Sequence, residues 1–332
     1  MGAHRKRQWQ GAVDVTNGPS QWTTRPPLHH ARVGLASATV KGQILAIGGF
    51  DPNMEPTFDF VETRRRTGDR TWHDLVALPT RRANLSAADL DGFVYAVGGI
   101  PKEGQISDAV DRYNPDAKAW GPSPKLPVGR AGAGVVGLNG LLYVAGGELP
   151  STGPADQITD SMITYNPTNM TWTPVTSMPT KRTRFRLVAA RGQLYAIGGF
   201  SEAGQALATV ERYDPGSHSW DTVASMHQAR VLPGAVVLRA GQRRYIVVVG
   251  GGGGQPETSQ FKHLRTTEVY NMDTDRWELL KALLPHGKIS LVSEVEDDST
   301  VLAIGGAVAA HGGSATASVD GLALTDHDLG QH

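Results

Sequence analysis

The segment AIGGFSEAGQALATVERYDPGSHSW, residues 196–220, carries the pattern that decides the fold. An apolar run ends in a Gly pair, a second run ends in Asp-Pro, and a Trp completes the segment. The chain contains six such Gly pairs, and six Trp residues are each followed ten or eleven positions later by Arg or Lys. A period of roughly 50 residues is typical of propellers and repeat arrays. The six Trp residues are Trp22, Trp72, Trp120, Trp172, Trp220 and Trp277.

Each repeat predicts four short strands. In the repeat around Gly98 they span 84–90, 93–97, 110–113 and the segment that contains Trp120. Asp91-Gly92 is the residue pair of a two-residue hairpin, and Asn114-Pro115 begins the turn into the fourth strand. Short strands with turn signals every ~8–12 residues are typical of an all-β fold, and no segment has sustained helical periodicity.

In these features the chain resembles the kelch-repeat β-propellers. The motif VERYDP at 210–215 has a near copy, VDRYNP, at 110–115, and both lie between a Gly pair and a Trp. The resemblance covers nearly the whole chain and implies an all-β, six-bladed kelch-type β-propeller with four antiparallel strands per blade. In such a fold the large Trp side chains are expected to fill the gaps between adjacent sheets.

The N-terminus is expected to close the ring of blades. The last repeat has no Trp after its third predicted strand, and the missing fourth strand is found at the other end of the chain, with Trp22. Pairing of the two ends would remove exposed sheet edges. Residues 12–16 also resemble a third strand, so either terminus could fill that position in the closing blade. The predicted propeller spans 12–325, with tails at 1–11 and 326–332.

Composition excludes several functional classes. The chain has no cysteine, which excludes disulfides, thiolate metal sites and Cys nucleophiles. Its formal net charge is zero with dispersed Lys and Arg, so nucleic acid is not an expected partner. No apolar stretch approaches the roughly 18 residues of a membrane span, and the basic start lacks the apolar core of a secretory signal. We therefore expect a cytoplasmic monomer without membrane partners.

One face of the propeller is expected to carry the function. In a four-stranded antiparallel blade, the connections between the second and third strands lie on one side together with the connections between blades; we call this side the loop face. The turns between the first and second strands and between the third and fourth lie on the other side, the turn face. The loop-face connections are long and varied, and long loops on a rigid scaffold are where binding residues concentrate.

The repeated cation lies on the loop face, in the connection just before each innermost strand. A ring of cations around a concave mouth would concentrate the electric field there, and the rigid guanidinium of Arg suits carboxylate, phosphate or sulfate. In an alternative interpretation the repeated cations hold the blades, by pairing with acids such as Glu62, Asp111 and Glu211. Arg184 lies outside the repeat. The candidate ligand-binding residues are Arg32, Arg82, Arg130, Arg182, Arg184, Arg230 and Lys288.

Two functions fit this mouth. The first is recognition of an anionic ligand, either an acidic peptide or a small molecule. The alternative is an enzyme of isomerase, mutarotase or cyclase type that uses acid–base chemistry in the same mouth, with Glu148, Glu202 and His227 as catalytic candidates. In kelch adaptor proteins that capture acidic peptides, the resemblance implies that arginines of this connection bind carboxylates. Residues at comparable positions here are Arg82, Arg130 and Arg184.

Three histidines occupy equivalent connections between blades and could form a metal site. These are His29, His227 and His286, and they belong to neighbouring repeats of a closed ring. Imidazole is a common metal ligand and a possible general base. We prefer the simpler interpretation that these histidines lie on the turn surface, and we expect neither a bound metal nor a cofactor.

Overall fold

The computed structural model describes residues 20–53, 57–101, 105–151, 157–254, 261–308 and 313–329. The described chain forms six four-stranded antiparallel sheets, which we number as blades 1–6. The innermost strands of successive blades contact one another around a central axis, and the innermost strand of blade 6 contacts that of blade 1. The predicted all-β propeller is therefore confirmed. Among these residues, no helix has the length and apolar content that a membrane crossing needs.

The strands of each blade are given from the innermost to the outermost. Blade 1 consists of Ala36–Val40, Gln43–Ile47, Val61–Arg65 and His73–Leu75. Blade 2 consists of Ser86–Leu90, Phe93–Val97, Val110–Asn114 and Ala119–Pro122. Blade 3 consists of Gly134–Leu138, Leu141–Ala145, Met162–Asn166 and Thr171–Val175. Blade 4 consists of Arg186–Ala190, Gln193–Ile197, Val210–Asp214 and Ser219–Val223.

Blades 5 and 6 follow the same plan. Blade 5 consists of Gly234–Ala240, Arg243–Val249, Thr267–Asn271 and Arg276–Leu279. Blade 6 consists of Val292–Val295, Thr300–Ile304, Val319–Ala323 and Trp22–Arg25. Short strands on the loop face pair outside the blades: Glu148–Leu149 with Gln157–Ile158, Arg182–Thr183 with Phe200–Ser201, Gly252–Gly253 with Lys262–His263, and Ala307–Val308 with both Lys288–Ile289 and Ser314–Ala315.

The hairpin turns have the backbone geometry that their residue types predict. Asp91 and Gly92 have φ values of 51° and 80°, and Leu90 pairs with Phe93 across the turn. Positive φ at both central residues matches the twist of the flanking strands, which is why Asx-Gly and similar pairs favour this turn. The turn therefore fixes the register of the two inner strands, whose alternate residues pack between neighbouring blades.

The Gly pairs join each blade to the next. Gly99 donates its backbone N–H to the carbonyl of Arg130 at 2.8 Å, and Gly306 donates to Arg32 at 3.0 Å, which continues the pattern across the junction of blades 6 and 1. Gly48 has φ of +61°, and a Cβ there would lie 2.5 Å from the carbonyl oxygen of Arg82. Only glycine fits such a close approach of two backbones.

The repeated Trp residues pack between blades, as predicted. Tyr270 and Trp277 are in ring contact at a centroid distance of 5.0 Å. The indole Nε1 of Trp277 donates to the carbonyl of Ala224 at 2.7 Å, and that of Trp120 donates to Val76 at 3.1 Å. Five of the six indoles bond in this way to the backbone that precedes their own blade, so one aromatic side chain fills the gap and satisfies its polar atom. The exception is Trp22 of the closing strand, whose buried Nε1 has no hydrogen-bond partner among the described residues.

The two ends of the chain share blade 6. Trp22 pairs with Leu322 and Arg25 pairs with Val319 in antiparallel register, which confirms the fourth strand predicted from Trp22. Arg25 also forms an ion pair with Glu296 at 3.1 Å, and the buried Arg64 of blade 1 bonds to the same carboxylate. Glu296 therefore links the N-terminal strand, blade 6 and blade 1.

The predicted C-terminal tail is too long. Leu329 is buried in the core cluster of blades 5 and 6, and the carboxylate of Asp328 accepts hydrogen bonds from Ser20 and Thr325. The chain is therefore packed at least to residue 329. Residues 1–11 and the alternative third strand at 12–16 lie outside the described residues.

Candidate functional site

The six repeated cations are buried in the blades. Their relative exposure is 5% or less, and their side chains reach inward to the strands of their own blade. Arg82 donates to the carbonyls of Gly98 at 3.2 Å and Ala109 at 2.9 Å, and Arg230 donates to those of Gly250 and Thr266 in blade 5. Each of the five arginines thus anchors the connection on the first Gly of a Gly pair, whereas Lys288 donates to the carbonyl of Ser318 at 3.2 Å. The six cations are Arg32, Arg82, Arg130, Arg182, Arg230 and Lys288.

Five of these cations bond to an acid in the third strand of the same blade. The distance is 2.9 Å between Arg182 and Glu211 and 2.7 Å between Lys288 and Asp320. The other three pairs are Arg32 with Glu62, Arg82 with Asp111, and Arg230 with Glu268. Burial lowers the pKa of Arg32 to about 10, while the neighbouring Glu62 opposes the shift. The cation therefore stays charged at neutral pH.

Blade 3 departs from this plan. Arg130 has no acidic partner there, because Ile163 occupies the third-strand position of the acid. Its guanidinium bonds instead to the carbonyls of Gly146 and Ser161 and to the Ser161 hydroxyl, at 2.8–3.0 Å. Burial alone lowers the pKa of Arg130 to about 10.

The expectation that the repeated cations line a ligand site is corrected by this geometry. Buried guanidinium groups that already bond to carbonyls and carboxylates face the blade interior and not the mouth. The alternative interpretation, in which they hold the blades through Glu62, Asp111 and Glu211, describes their contacts. Among the seven predicted ligand-binding residues, the structure leaves Arg184 with an exposed side chain.

A ring of backbone hydrogen bonds surrounds the loop-face end of the central channel. Its members each follow a repeated cation by two positions and have φ between 50° and 62°. Arg184 donates its N–H to the carbonyl of Gly132 at 2.8 Å, and Leu232 donates to Arg184 at 2.8 Å. The circle closes where Gly34 donates to the Ser290 hydroxyl at 2.9 Å. We call this the mouth ring: Gly34, Asn84, Gly132, Arg184, Leu232 and Ser290.

The mouth ring narrows the channel, and Arg184 is its charged member. The ring borders a cavity of about 20 Å³, which is room for about one water molecule. The Arg184 side chain is 42% exposed, and its Nε lies 3.1 Å from a carboxylate oxygen of Glu148. Glu148 also accepts a hydrogen bond from the Thr183 hydroxyl at 3.3 Å. An exposed guanidinium with one partner at the mouth can accept a further anion.

The three catalytic candidates do not form one site. Glu148 faces Arg184 at the mouth, whereas Glu202 is exposed and pairs with Lys181 at 2.9 Å. His227 bonds through its ring Nδ1 to Glu268 of blade 5 at 2.9 Å. The three candidates of the predicted acid–base set therefore lie in separate ion pairs, and Glu148 is the one at the mouth.

The predicted histidine cluster is also divided among blades. His29 bonds to Glu62 and to Asp74 of blade 1, and the ligand atoms of these three residues lie within 4.8 Å of one another. The contact recurs where His227 bonds to Glu268 in blade 5. In both blades a repeated Arg already neutralises the buried Glu. The His and Glu contacts therefore stabilise the connection between blades.

The channel behind the mouth ring contains charged residues that the sequence analysis did not select. A cavity of about 320 Å³ is lined by the innermost strands of all six blades. Its charged residues are Arg66, Asp89, Arg186 and Glu294. Arg66 donates its backbone N–H to Gly42, which lies in a turn of the turn face. Asp89 is exposed, so solvent reaches the cavity from the turn face.

The two carboxylates of the cavity titrate above their ordinary range. Burial raises the pKa of Glu294, which accepts a hydrogen bond from the Thr39 hydroxyl at 2.7 Å, and the charge of Arg66 opposes the shift. Partial desolvation by the channel wall also raises the pKa of Asp89, whose side chain still reaches solvent at the opening. Arg186 donates to the carbonyls of Pro233 and Leu291, and burial lowers its pKa to about 10.

A comparison of the repeats with one another could have identified two of these residues. Arg186 occupies the position of Ala36, Ser86, Gly134, Gly234 and Val292 in the other innermost strands. Glu294 occupies the position of Ala38, Ala88, Val136, Val188 and Val236. A charge in a column of small or apolar residues is a departure from the repeat, and that departure was the available signal.

Comparisons with known proteins agree with the repeat architecture. The family model described as the Kelch motif matches residues 129–179 and 181–227. Kelch-like protein 23 from Pongo abelii is 29% identical over 74% of this chain and 41% of its own length. Kelch-like protein 36 from Bos taurus is 29% identical over 79% of this chain and 42% of its own length.

A mouse protein and a solved structure are also similar to this chain. Kelch-like protein 35 from Mus musculus is 24% identical over 65% of this chain and 36% of its own length. The chain thus spans about two-fifths of the length of these three relatives. The solved structure of YjhT superimposes with a TM-score of 0.75 over 91% of this chain and 97% of its own, at 19% identity. At that identity the likeness concerns the fold alone.

Proposed function

Because this chain is a kelch-repeat β-propeller, we propose that it is a binding module that takes an anionic ligand at the loop-face mouth. The ligand is an acidic peptide or a small molecule with at least one carboxylate. The observation that carries this proposal is the state of Arg184. It is the charged member of the mouth ring, its side chain is 42% exposed, and it is held outward by a backbone that is bonded on both sides.

The geometry of Arg184 suits a carboxylate. Its Nε faces Glu148, and no hydrogen bond to the described residues engages its two Nη atoms. These atoms can therefore form the paired, charge-assisted hydrogen bonds that Arg makes with carboxylates. Because the ring fixes the backbone on both sides of Arg184, ordering the side chain is the main conformational cost on the protein side of the complex.

A panel of carboxylates tests the proposal. The probes are succinate, citrate and a fluorescent peptide rich in Glu, and affinity is measured by calorimetry or fluorescence anisotropy. Arg184→Ala should weaken binding roughly tenfold or more, because a charged hydrogen bond is worth about 1.5–3 kcal/mol. Glu148→Gln should strengthen binding, since it removes the anion that competes for Arg184.

The two variants have different signatures, and this separates a binding site from a structural ion pair. If Arg184 and Glu148 merely stabilise the fold, both substitutions should lower the melting temperature and neither should change affinity. Failure of every probe to bind the wild-type chain would reject the mouth as an anion site.

A further inference from the structure

We propose that the turn-face cavity is a second binding site, and that it takes a small zwitterion such as a free amino acid. We call this cavity the turn-face cup; it is the space of about 320 Å³ bounded by the innermost strands and narrowed at its far end by the mouth ring. Its opening is on the opposite face of the propeller from Arg184.

The charges of the cup differ from those of the scaffold in forming no direct ion pair among the described residues, although Glu294 interacts at longer range with Arg66 and Arg186. Among the described residues, no ion pair joins Arg66 or Arg186 to either Asp89 or Glu294. The scaffold cations, by contrast, form buried ion pairs such as that of Arg230 with Glu268. Two cations and two carboxylates that border one cavity without pairing leave both signs of charge available to a bound molecule.

Two buried polar atoms at the cup also lack partners within the described chain. The hydroxyl of Ser293, a residue only 6% exposed, forms no hydrogen bond, and neither does the Nε of Arg66. Both residues line the cup. Both atoms are inaccessible to solvent, so they add polarity to the wall of the cup without themselves contacting a bound molecule.

The two carboxylates of the cup favour a cationic group on the ligand. Asp89 and Glu294 both border the cup, and partial desolvation raises the pKa of each carboxyl. An ammonium near them would supply the opposite charge, and a carboxylate on the same molecule could meet Arg66. A zwitterion brings both charges without changing the net charge of the cup, which is zero when all four groups are ionised.

The size of the cup limits the ligand. A cavity needs about 10–15 Å³ to hold one water molecule, and the cup has about 320 Å³. The cup therefore has room for a molecule of amino-acid size and not for a folded partner. Its remaining walls are small or apolar, as at Ala87 and Val237. The side chain of a bound amino acid would lie against these walls.

The experiment uses the full chain and a panel of commercial compounds. Free amino acids are compared with their N-acetyl and carboxamide derivatives, and with glucose and glycerol as neutral polyols. Binding is measured by calorimetry and by ligand-detected NMR. The expected result is binding of free amino acids with loss of binding in both derivatives, because each derivative removes one of the two charges.

Variants locate the site. Glu294→Gln and Asp89→Asn should each weaken binding at least about tenfold, since each removes a charged hydrogen bond. Ala87→Phe fills the cup without changing a charge and should abolish binding. The matched control is Asp116→Asn, which removes an exposed carboxylate from the turn face outside the cup and should leave affinity unchanged.

Three results would overturn the proposal. They are equal binding of the N-acetyl derivatives or of the polyols, binding that survives Ala87→Phe, and the absence of any binding at concentrations on the order of 10 mM, where even a site of millimolar affinity would be filled. Because the melting temperature of each variant is recorded alongside, loss of binding through misfolding is distinguished from loss of the site. None of these outcomes affects the mouth proposal, which concerns the opposite face.

Discussion

The repeated cations and the unrepeated charges of this propeller differ in how their charge is balanced. Arg182 and Arg230 are fully buried and bond to an acid and to carbonyls of their own blade. Arg184 follows Arg182 by two positions yet is exposed at the mouth, and Glu294 lines the cup without a direct ion pair among the described residues. Charges that recur with the blade therefore hold the blade, whereas Arg184 and Glu294 break the repeat and face space that a ligand can enter. A charge that breaks the repeat can also be structural, as the buried pair of Arg64 and Glu296 shows.

The largest expected effect is the loss of a repeated cation that leaves a buried acid behind. Arg230→Ala should lower the free energy of unfolding by about 3–5 kcal/mol, because Glu268 would remain buried without a counter-charge. The measurement is urea denaturation followed by Trp fluorescence. A loss below about 1 kcal/mol would show that the repeated pairs contribute little to the blades.

Blade 3 sharpens the comparison because its repeated cation has no acid. Arg130→Met should lower the free energy of unfolding by about 1–3 kcal/mol, since it leaves carbonyl acceptors unsatisfied but strands no carboxylate. The same denaturation experiment on both variants gives the difference. Equal losses for Arg130→Met and Arg230→Ala would contradict the view that the third-strand acid determines the cost.

The sequence predicted the blades well because local signals determine them. Gly pairs with positive φ, Asp91-Gly92 turns and interblade Trp residues are all consequences of the backbone geometry of one repeat. The direction of the repeated Arg side chains was less predictable. Position in the connection places the Cα of Arg82 near the mouth, but the long side chain turns inward to Asp111, and that choice depends on tertiary contacts.

The cup was missed for a related reason. Arg186 and Glu294 lie on different blades, more than a hundred residues apart in the chain, and only closure of the ring brings them to one cavity. Each departs from its column of small residues, so the anomaly was visible. The sequence does not show how each innermost strand is rotated about its own length relative to the central channel. That rotation determines which of its residues line the channel.

A smaller effect of opposite sign is expected in the cup. Glu294→Gln should raise stability at neutral pH, because the folded chain disfavours the ionised carboxyl that the unfolded chain accepts. A raised pKa means that the folded state holds its proton to higher pH, so wild-type stability falls as pH rises through and above the ordinary Glu pKa of about 4.5. The advantage of the variant should therefore grow over that range and vanish below pH 4.

The measurement is thermal unfolding of both chains from pH 3.5 to 8. A Glu294→Gln variant that is less stable at neutral pH would show that Glu294 stabilises the fold, as the scaffold acids do.

The smallest effect is expected at the exposed pair of Glu202 and Lys181, where Glu202→Gln should produce no measurable change in the melting temperature. A clear loss there would mean that loop-face ion pairs also stabilise the blades.

Arg182 and Arg184, which lie two positions apart before the innermost strand of blade 4, test most directly whether repeated and unrepeated charges have different roles. Arg182→Ala and Arg184→Ala are compared by urea denaturation under identical conditions. We predict a loss of about 3–5 kcal/mol for Arg182→Ala, which strands Glu211, and a change within about 0.5 kcal/mol for Arg184→Ala. Equal losses for the two variants, or a larger loss for Arg184→Ala, would contradict the division between repeated scaffold charges and unrepeated site charges.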